Sequence, residues 1–182
     1  MTNRTPEELE TGLGHIREAP SDDGELLLIV RRPSEDQRET LDEGVLDTQV
    51  GLVGDCWAAR GDPRSVDGSA NVLAQLTIMN SRVLEVAAGP VERWPLAGDQ
   101  LYVDLDIGVD NLPAGARLKV GDAVVEVTAK PHTGCTKFIQ RFGLAAQRWV
   151  NSETGTRLRL RGVNTQVVNP GTIRVGDRVR KL

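Results

Sequence analysis

The sequence predicts a mainly β fold, a closed or nearly closed β-barrel with two or three short helices, and three observations lead there. Gly-Asp pairs recur five times, as Gly54-Asp55, Gly61-Asp62, Gly98-Asp99, Gly121-Asp122 and Gly176-Asp177. Such pairs mark tight turns, because glycine accepts positive φ and aspartate bonds to nearby amides. Short β-branched or apolar runs lie between them, and only a few stretches carry helical periodicity, the pattern of an all-β barrel with helical excursions. At 182 residues the chain can build one sizeable core but not two comfortable domains.

Taken in order, residues 1–11 carry acidic residues and a proline and are expected to form a flexible arm, with the folded domain spanning 12–182. His15, between Gly14 and Ile16, falls on an expected first strand. Further strands are expected at 26–31, 75–79, 101–105 and 157–161. Leu118 and Val120 before Gly121-Asp122, with Val124, Val125 and Val127 after it, read as strand, turn, strand. Ile173 to Val179 repeats that pattern around Gly176-Asp177, giving two similar hairpin corners. Asn80 or Ser81 caps a helix through Val83, Leu84, Val86 and Ala87, which Gly89 and Pro90 terminate. A second helix starts near Thr136, carries Phe138, Ile139 and Phe142, and stops at Gly143; a third follows over 144–150. Residues 61–68 form either an ordered wall or a mobile lid.

Composition narrows the function. The apolar fraction is 39% and the charged fraction 26%, as in folded soluble domains rather than disordered chains. A formal charge of −4 and six aromatic residues argue against a nucleic-acid partner. The longest apolar run, residues 26–30, is far short of the roughly 20 needed to span a bilayer, so no membrane segment is expected. The first ten residues lack an apolar signal core, so the expectation is a cytoplasmic protein with free thiols at Cys56 and Cys135.

One segment concentrates chemistry: Pro131-His132-Thr133-Gly134-Cys135-Thr136-Lys137-Phe138-Ile139-Gln140-Arg141-Phe142-Gly143. The two histidines and two cysteines are too scattered for a finger-type zinc site. Cysteine reacts as the thiolate, which a helix start and nearby cations favour. Cys135 falls at the start of the expected second helix, Lys137 and Arg141 share a helix face four residues apart, and His132 lies across a turn. A lone cysteine is ordinarily a small buried residue; the density of polar and cationic neighbours here argues for function. Cys135 is therefore the candidate catalytic residue, and His132, Thr133, Lys137 and Arg141 are the candidate substrate- or cofactor-binding residues. Cys56, between Gly54-Asp55 and Trp57, reads as core or loop filler, and Trp57 and Trp94 read as packing.

The ordered series Gly51 to Asp55, Gln75 to Asn80, Gly98 to Leu101, Leu118 to Thr128, His132 to Gly143, Arg161-Gly162 and Gly171 to Asp177 resembles the MOSC domain, named for the C-terminal part of molybdenum cofactor sulfurases. The resemblance implies a barrel akin to the pyruvate kinase β-barrel domain. It also implies that Cys135 is the functional thiol. That thiol would accept sulfur as a persulfide from a pyridoxal-phosphate-dependent cysteine desulfurase, or ligate molybdenum in the molybdenum cofactor. Pyridoxal phosphate would then sit on a separate partner enzyme, a desulfurase, and a molybdenum-cofactor enzyme is the other expected partner. Some stand-alone relatives that reduce hydroxylated nucleobases carry histidines soon after the first Gly-Asp pair, whereas this chain carries Cys56-Trp57-Ala58-Ala59-Arg60. Two other readings stand beside the sulfur-handling one. They are a non-catalytic binding or scaffold barrel, and a thiol-dependent reductase of N-hydroxylated compounds using Cys56 and Cys135.

Overall fold

Alternation of buried and exposed residues organises a barrel in the computed structural model, which describes residues 3–182. Along the chain run α1 (Pro6–Thr11), α2 (Leu13–Arg17), β1 (Gly24–Arg31), β2 (Glu39–Leu41), β3 (Glu43–Asp47), β4 (Gly51–Leu52), α3 (Trp57–Arg60), β5 (Leu76–Asn80) and α4 (Ser81–Ala87). Then follow β6 (Leu101–Asp104), β7 (Arg117–Val120), β8 (Ala123–Val127), α5 (Thr136–Val150), α6 (Glu153–Arg157), β9 (Val163–Asn169), β10 (Gly171–Arg174) and β11 (Arg178–Lys181). Seven strands close in the order β11-β7-β8-β9-β5-β6-β1, because β1 pairs back onto β11. Among the described residues only β5 and β6 pair in parallel, with Ile78 opposite Leu101. A parallel pair needs a crossover, and α4 with the 3-10 helix Val91–Ala97 supplies it. Strand β2 adds to β1 outside the closed ring, and β10-β3-β4 form a second small sheet.

Period-two side chains fill the interior. Leu118 and Val120 of β7 and Ala123, Val125 and Val127 of β8 point into the barrel with Leu26, Ile29, Leu76, Ile78 and Leu101. Leu46, Leu52 and Ile173 of the small sheet join the same core. A second core lies between the barrel's outer face and the helices: Val30, Met79 and Tyr102 meet Leu9, Leu84, Phe138, Phe142 and Trp149. This is why β5 is buried along its whole length. The barrel is thus closed on itself and padded on one side by helices, which is where the site lies.

Several expectations need correction. Among the described residues there are six α-helices, not two or three. The expected flexible arm contains α1, whose Thr5 and Glu8 form a reciprocal capping box and whose Leu9 is fully buried; Met1 and Thr2 lie outside the described residues. His15 sits on α2, not on a strand. Residues 157–161 are not a strand: Ser152 caps α6 through the Gly155 amide at 3.0 Å, and the chain then turns through Arg159 at positive φ. Around Gly176-Asp177 there is no hairpin, because β10 pairs with β3 while β11 pairs with β1 and β7. One expectation in this region holds: the second helix stops at Gly143, where φ is 90° and ψ 165°, and a third runs on to Val150, the two segments together being α5.

Candidate functional site

A cleft of about 780 Å³ opens among the end of β1, the connection from β1 to β2, the start of α3, Gly98, residues 130–135 and the first turns of α5. Both cysteines line it. Cys135 is the N-cap of α5, is exposed, and its carbonyl accepts the Phe138 and Ile139 amides at 3.0 and 3.2 Å. Cys56 is half-buried at the N-cap of α3, and its amide donates to the Arg32 carbonyl at 2.7 Å. Both are free thiols. Cys56, read from the sequence as core or loop filler, thus lies on the same cleft as Cys135.

The loop that presents Cys135 is held from both sides. Asn164 of β9 donates its side-chain amide to the carbonyls of Lys130 and Pro131 at 3.1 and 3.2 Å. Asn151, just after α5, accepts the Gly134 amide at 2.8 Å and donates to the Gly134 carbonyl at 3.0 Å, and Gln147 reaches the same carbonyl at 3.2 Å. A side chain at position 134 would put its Cβ 2.9 Å from Val150 Cγ2, so glycine is required for this close approach. The C-terminal part of α5 thus fixes the loop that precedes its own start.

Cations dominate the cleft, and the two deepest are held by the aspartates of Gly-Asp pairs. Arg32 donates from Nε and Nη2 to the two oxygens of Asp55, both at 2.8 Å, and from Nη1 to the Gly98 carbonyl at 2.9 Å. Burial works against the Arg32 charge, but the hydrogen bonds and charge of Asp55 outweigh it and raise its pKa. The Asp55 carboxylate also accepts the Trp57 amide at 2.9 Å. Arg161 donates from Nη1 to both oxygens of Asp99 at 2.8 and 3.1 Å and from Nη2 to the Ala97 carbonyl at 2.9 Å, with its guanidinium 5.1 Å over the Phe138 ring. Asp99 has no solvent exposure. Burial opposes its ionisation, yet the Arg161 charge holds it below the ordinary carboxylate pKa.

The predicted site residues are brought together at this cleft, with one difference in character. His132 Nδ1 stands 3.6 Å from Asp99 Oδ1, beyond hydrogen-bond reach, and has no hydrogen-bond partner. Burial first, then the charges of Arg161 and Arg32, push its pKa down to about 3, against the pull of Asp99. It therefore meets the cleft as a neutral imidazole and adds nothing to the cationic field. Thr133 is exposed on the rim. Lys137 Nζ pairs with Glu35 Oε1 at 2.7 Å, a hydrogen bond that raises the lysine pKa. Arg141 pairs with Asp36 at 3.0 Å and donates to the Leu96 carbonyl at 2.8 Å.

Sequence reading did not assign Arg32, Arg38, Arg161, Asp55 or Asp99 to the site. The signal was present, since Asp55 and Asp99 belong to conspicuous Gly-Asp pairs, but a turn explained both without an arginine. Among the described residues no group of three or more His, Cys, Asp or Glu side chains is placed to hold a metal. Nor, among them, is any helix long and apolar enough to cross a membrane.

Comparison with known proteins agrees with the fold. The YuaD protein from Bacillus subtilis matches at TM-score 0.65 and 15% identity, covering 86% of this chain and 93% of that one. YiiM from Escherichia coli matches at TM-score 0.56 and 20% identity over 87% of this chain and 69% of that one. YiiM from Geobacillus stearothermophilus matches at 0.55 and 16% over 87% and 75%. No curated protein matches the sequence significantly. The family model described as the MOSC domain matches residues 90–180, half of the chain, from the 3-10 helix before Gly98 through β11. The chain belongs to the MOSC domain family.

Proposed function

We propose that this protein handles sulfur or the molybdenum cofactor through Cys135. The observation that carries the reading is an exposed thiol standing at the N-cap of α5 on the rim of a cleft rich in guanidinium groups. Because β1 closes the ring against β11 and Leu9 of α1 packs in the outer core, we take the domain to extend upstream of the matched segment as far as α1.

In the carrier version, the Cys135 thiolate attacks the outer sulfur of a persulfide on a cysteine desulfurase. The donor's S–S bond breaks, the donor cysteine leaves as thiolate, and Cys135 becomes the persulfide, with no net change of redox state. The pyridoxal phosphate belongs to that partner. In the metal version, the residues present fit the molybdenum cofactor: one soft thiolate open to the cleft for a thiophilic metal, and guanidinium and ammonium groups for a phosphate. When bound, that cofactor supplies a redox-active metal centre. Cys135 would hold the metal, Lys137 and Arg141 would hold the phosphate, and neutral His132 would offer a hydrogen-bonding ring without adding charge. A reducing, cytoplasmic setting goes with both versions, since both need a free thiol.

The test is mass spectrometry after incubation with a cysteine desulfurase and cysteine. We expect the mass of one added sulfur, reversed by dithiothreitol and absent in Cys135→Ala. An unmodified wild-type protein overturns the carrier version, and absence of molybdenum after expression in a molybdenum-replete host overturns the metal version. A second reading draws on Cys56 lining the same cleft: a thiol reductase of N-hydroxylated compounds using both cysteines. It requires a Cys56–Cys135 disulfide to be trapped under mild oxidant.

A further inference from the structure

We infer that Arg38 and Arg141 converge over Gly98 as a subsite for a phosphate-type oxyanion, and that Glu35 and Asp36 form its built-in competitor. The inference rests on the reading of the cleft as an anion-accepting site and names the group it accepts and what regulates entry.

The first observation is geometric. A Cβ on Gly98 would stand 3.6 Å from Arg141 Nη1 and 3.6 Å from Arg38 Nη2. Two guanidinium groups therefore flank one point, and the glycine, at φ 88°, leaves that point open. Arg32 approaches the same residue through the Gly98 carbonyl at 2.9 Å. Arg38 shows the consequence: burial, then the like charges of Arg141 and Arg32, lower its pKa.

The second observation is how these charges are matched. Arg32 is matched by Asp55 and Arg161 by Asp99. Arg38 makes no ion pair among the described residues and donates to the carbonyls of Pro95 and Gln37, at 3.2 and 2.6 Å. Among the described residues Arg141 has only Asp36 as a counter-charge, and the side chain of Asp36 is 66% exposed. A cluster of cations with one exposed counter-charge favours a bound anion, and paired guanidinium forks suit the oxygens of a phosphate.

The third is the mechanics of the connection between β1 and β2. Its base is fixed, by the Arg31–Glu39 strand register and by the bonds of Arg32 and Arg38 to Asp55 and the Pro95 carbonyl. Its tip is tied to α5 by ion pairs, Glu35 to Lys137 and Asp36 to Arg141 and Lys137. Exposed pairs of this kind contribute little and weaken with salt. The carboxylates hold the cations that a dianion needs, and yield to one.

The experiment is calorimetric titration of the full-length protein with inorganic phosphate and, separately, phenyl phosphate, at low ionic strength. Glu35→Gln/Asp36→Asn should bind phosphate at least about fivefold more tightly than wild type, since removing a competitor frees the cations. Glu39→Gln, which removes a nearby carboxylate paired to Arg31, should change binding by less than about twofold. Arg38→Gln/Arg141→Gln should lose binding, and Arg38→Lys/Arg141→Lys should recover part of it. Equal tightening by Glu39→Gln, or none by the tip variant, overturns the competitor. Unchanged binding by the Arg38→Gln/Arg141→Gln variant, or no phosphate bound by any form, overturns the subsite. Persulfide formation on Cys135 in the same preparations is read independently, so the subsite can fail while the sulfur-handling reading stands. A preference for phenyl phosphate over phosphate supports the subsite and assigns the oxyanion to an ester; the reverse preference supports it and assigns the free ion.

Discussion

Gly98-Asp99 and Gly121-Asp122 are the same dipeptide doing different work. Both glycines take positive φ, 88° and 54°, so both turn the chain. At Gly121 the turn is the whole function: β7 and β8 pair in register on either side, and Asp122 is exposed. At Gly98 the turn delivers Asp99 to a position with no solvent exposure, where it meets Arg161 from 62 residues further along the chain. Gly54-Asp55 behaves like the second kind, receiving Arg32 from 23 residues upstream. The local signal is identical in all of these. What separates a hinge from a site is the residue that arrives from elsewhere, and that residue is placed by barrel closure.

The comparison is broken most severely at Asp99. Asp99→Ala leaves the Arg161 guanidinium buried without a counter-charge and should cost about 3–5 kcal/mol of stability, read by urea unfolding. Asp99→Leu/Arg161→Met should recover much of that loss while still emptying the cleft floor of charge. Full recovery of stability by the double variant would assign the pair to function; no recovery would make it structural. Asp55→Ala comes next, at about 2–3 kcal/mol, because Arg32 and the Trp57 amide both lose an ionised acceptor.

Acid sharpens the same contrast. The folded-state pKa of His132 lies below its unfolded value, so the unfolded chain takes up a proton first. Stability is then full above about pH 6.5 and falls as pH drops toward 3, at up to about 1.4 kcal/mol per unit. Asp99, also lowered, adds a loss of the same sign below the ordinary carboxylate range. His132→Asn should remove the slope between about pH 6.5 and 4.5 and lessen it below, where the carboxylate part persists. An unchanged slope between those values would place the titrating group elsewhere.

Legibility in the sequence followed the range of the interaction. Alternation around Gly121-Asp122 located β7 and β8, Asn80 and Gly89 bounded α4, and Gly143 marked the break in α5, because each signal is local. The Thr5 to Glu8 capping box was equally local, but its acidic residues read as an arm, and only the burial of Leu9 shows otherwise. Strand β9 hid behind Asn164, Thr165 and Gln166. These polar residues are tolerated there because their side chains bond across the fold, Asn164 to the loop before Cys135 and Thr165 to the Leu76 carbonyl. At the site, Cys135, Lys137 and Arg141 were visible as one cluster. Arg32, Arg38 and Arg161 were not, since nothing near them in sequence distinguishes a cleft arginine from a surface one.

The smallest effects test the other side of the comparison. Asp177 Oδ2 accepts the Arg174 amide at 2.7 Å, closing the corner between β10 and β11, so Asp177→Ala should cost about 1 kcal/mol. Asp122 is exposed, and what the β7–β8 turn takes from this position is backbone: the Asp122 amide donates to the Thr172 carbonyl at 3.0 Å. Alanine keeps that amide, so Asp122→Ala should fall within about 0.5 kcal/mol of wild type. Phosphate titration and persulfide formation should be unchanged in both, because neither aspartate faces the cleft. If Asp122→Ala instead destabilised the protein as strongly as Asp55→Ala, the distinction between turn aspartates and arginine-holding aspartates would fail, and burial of the carboxylate would not be what separates them.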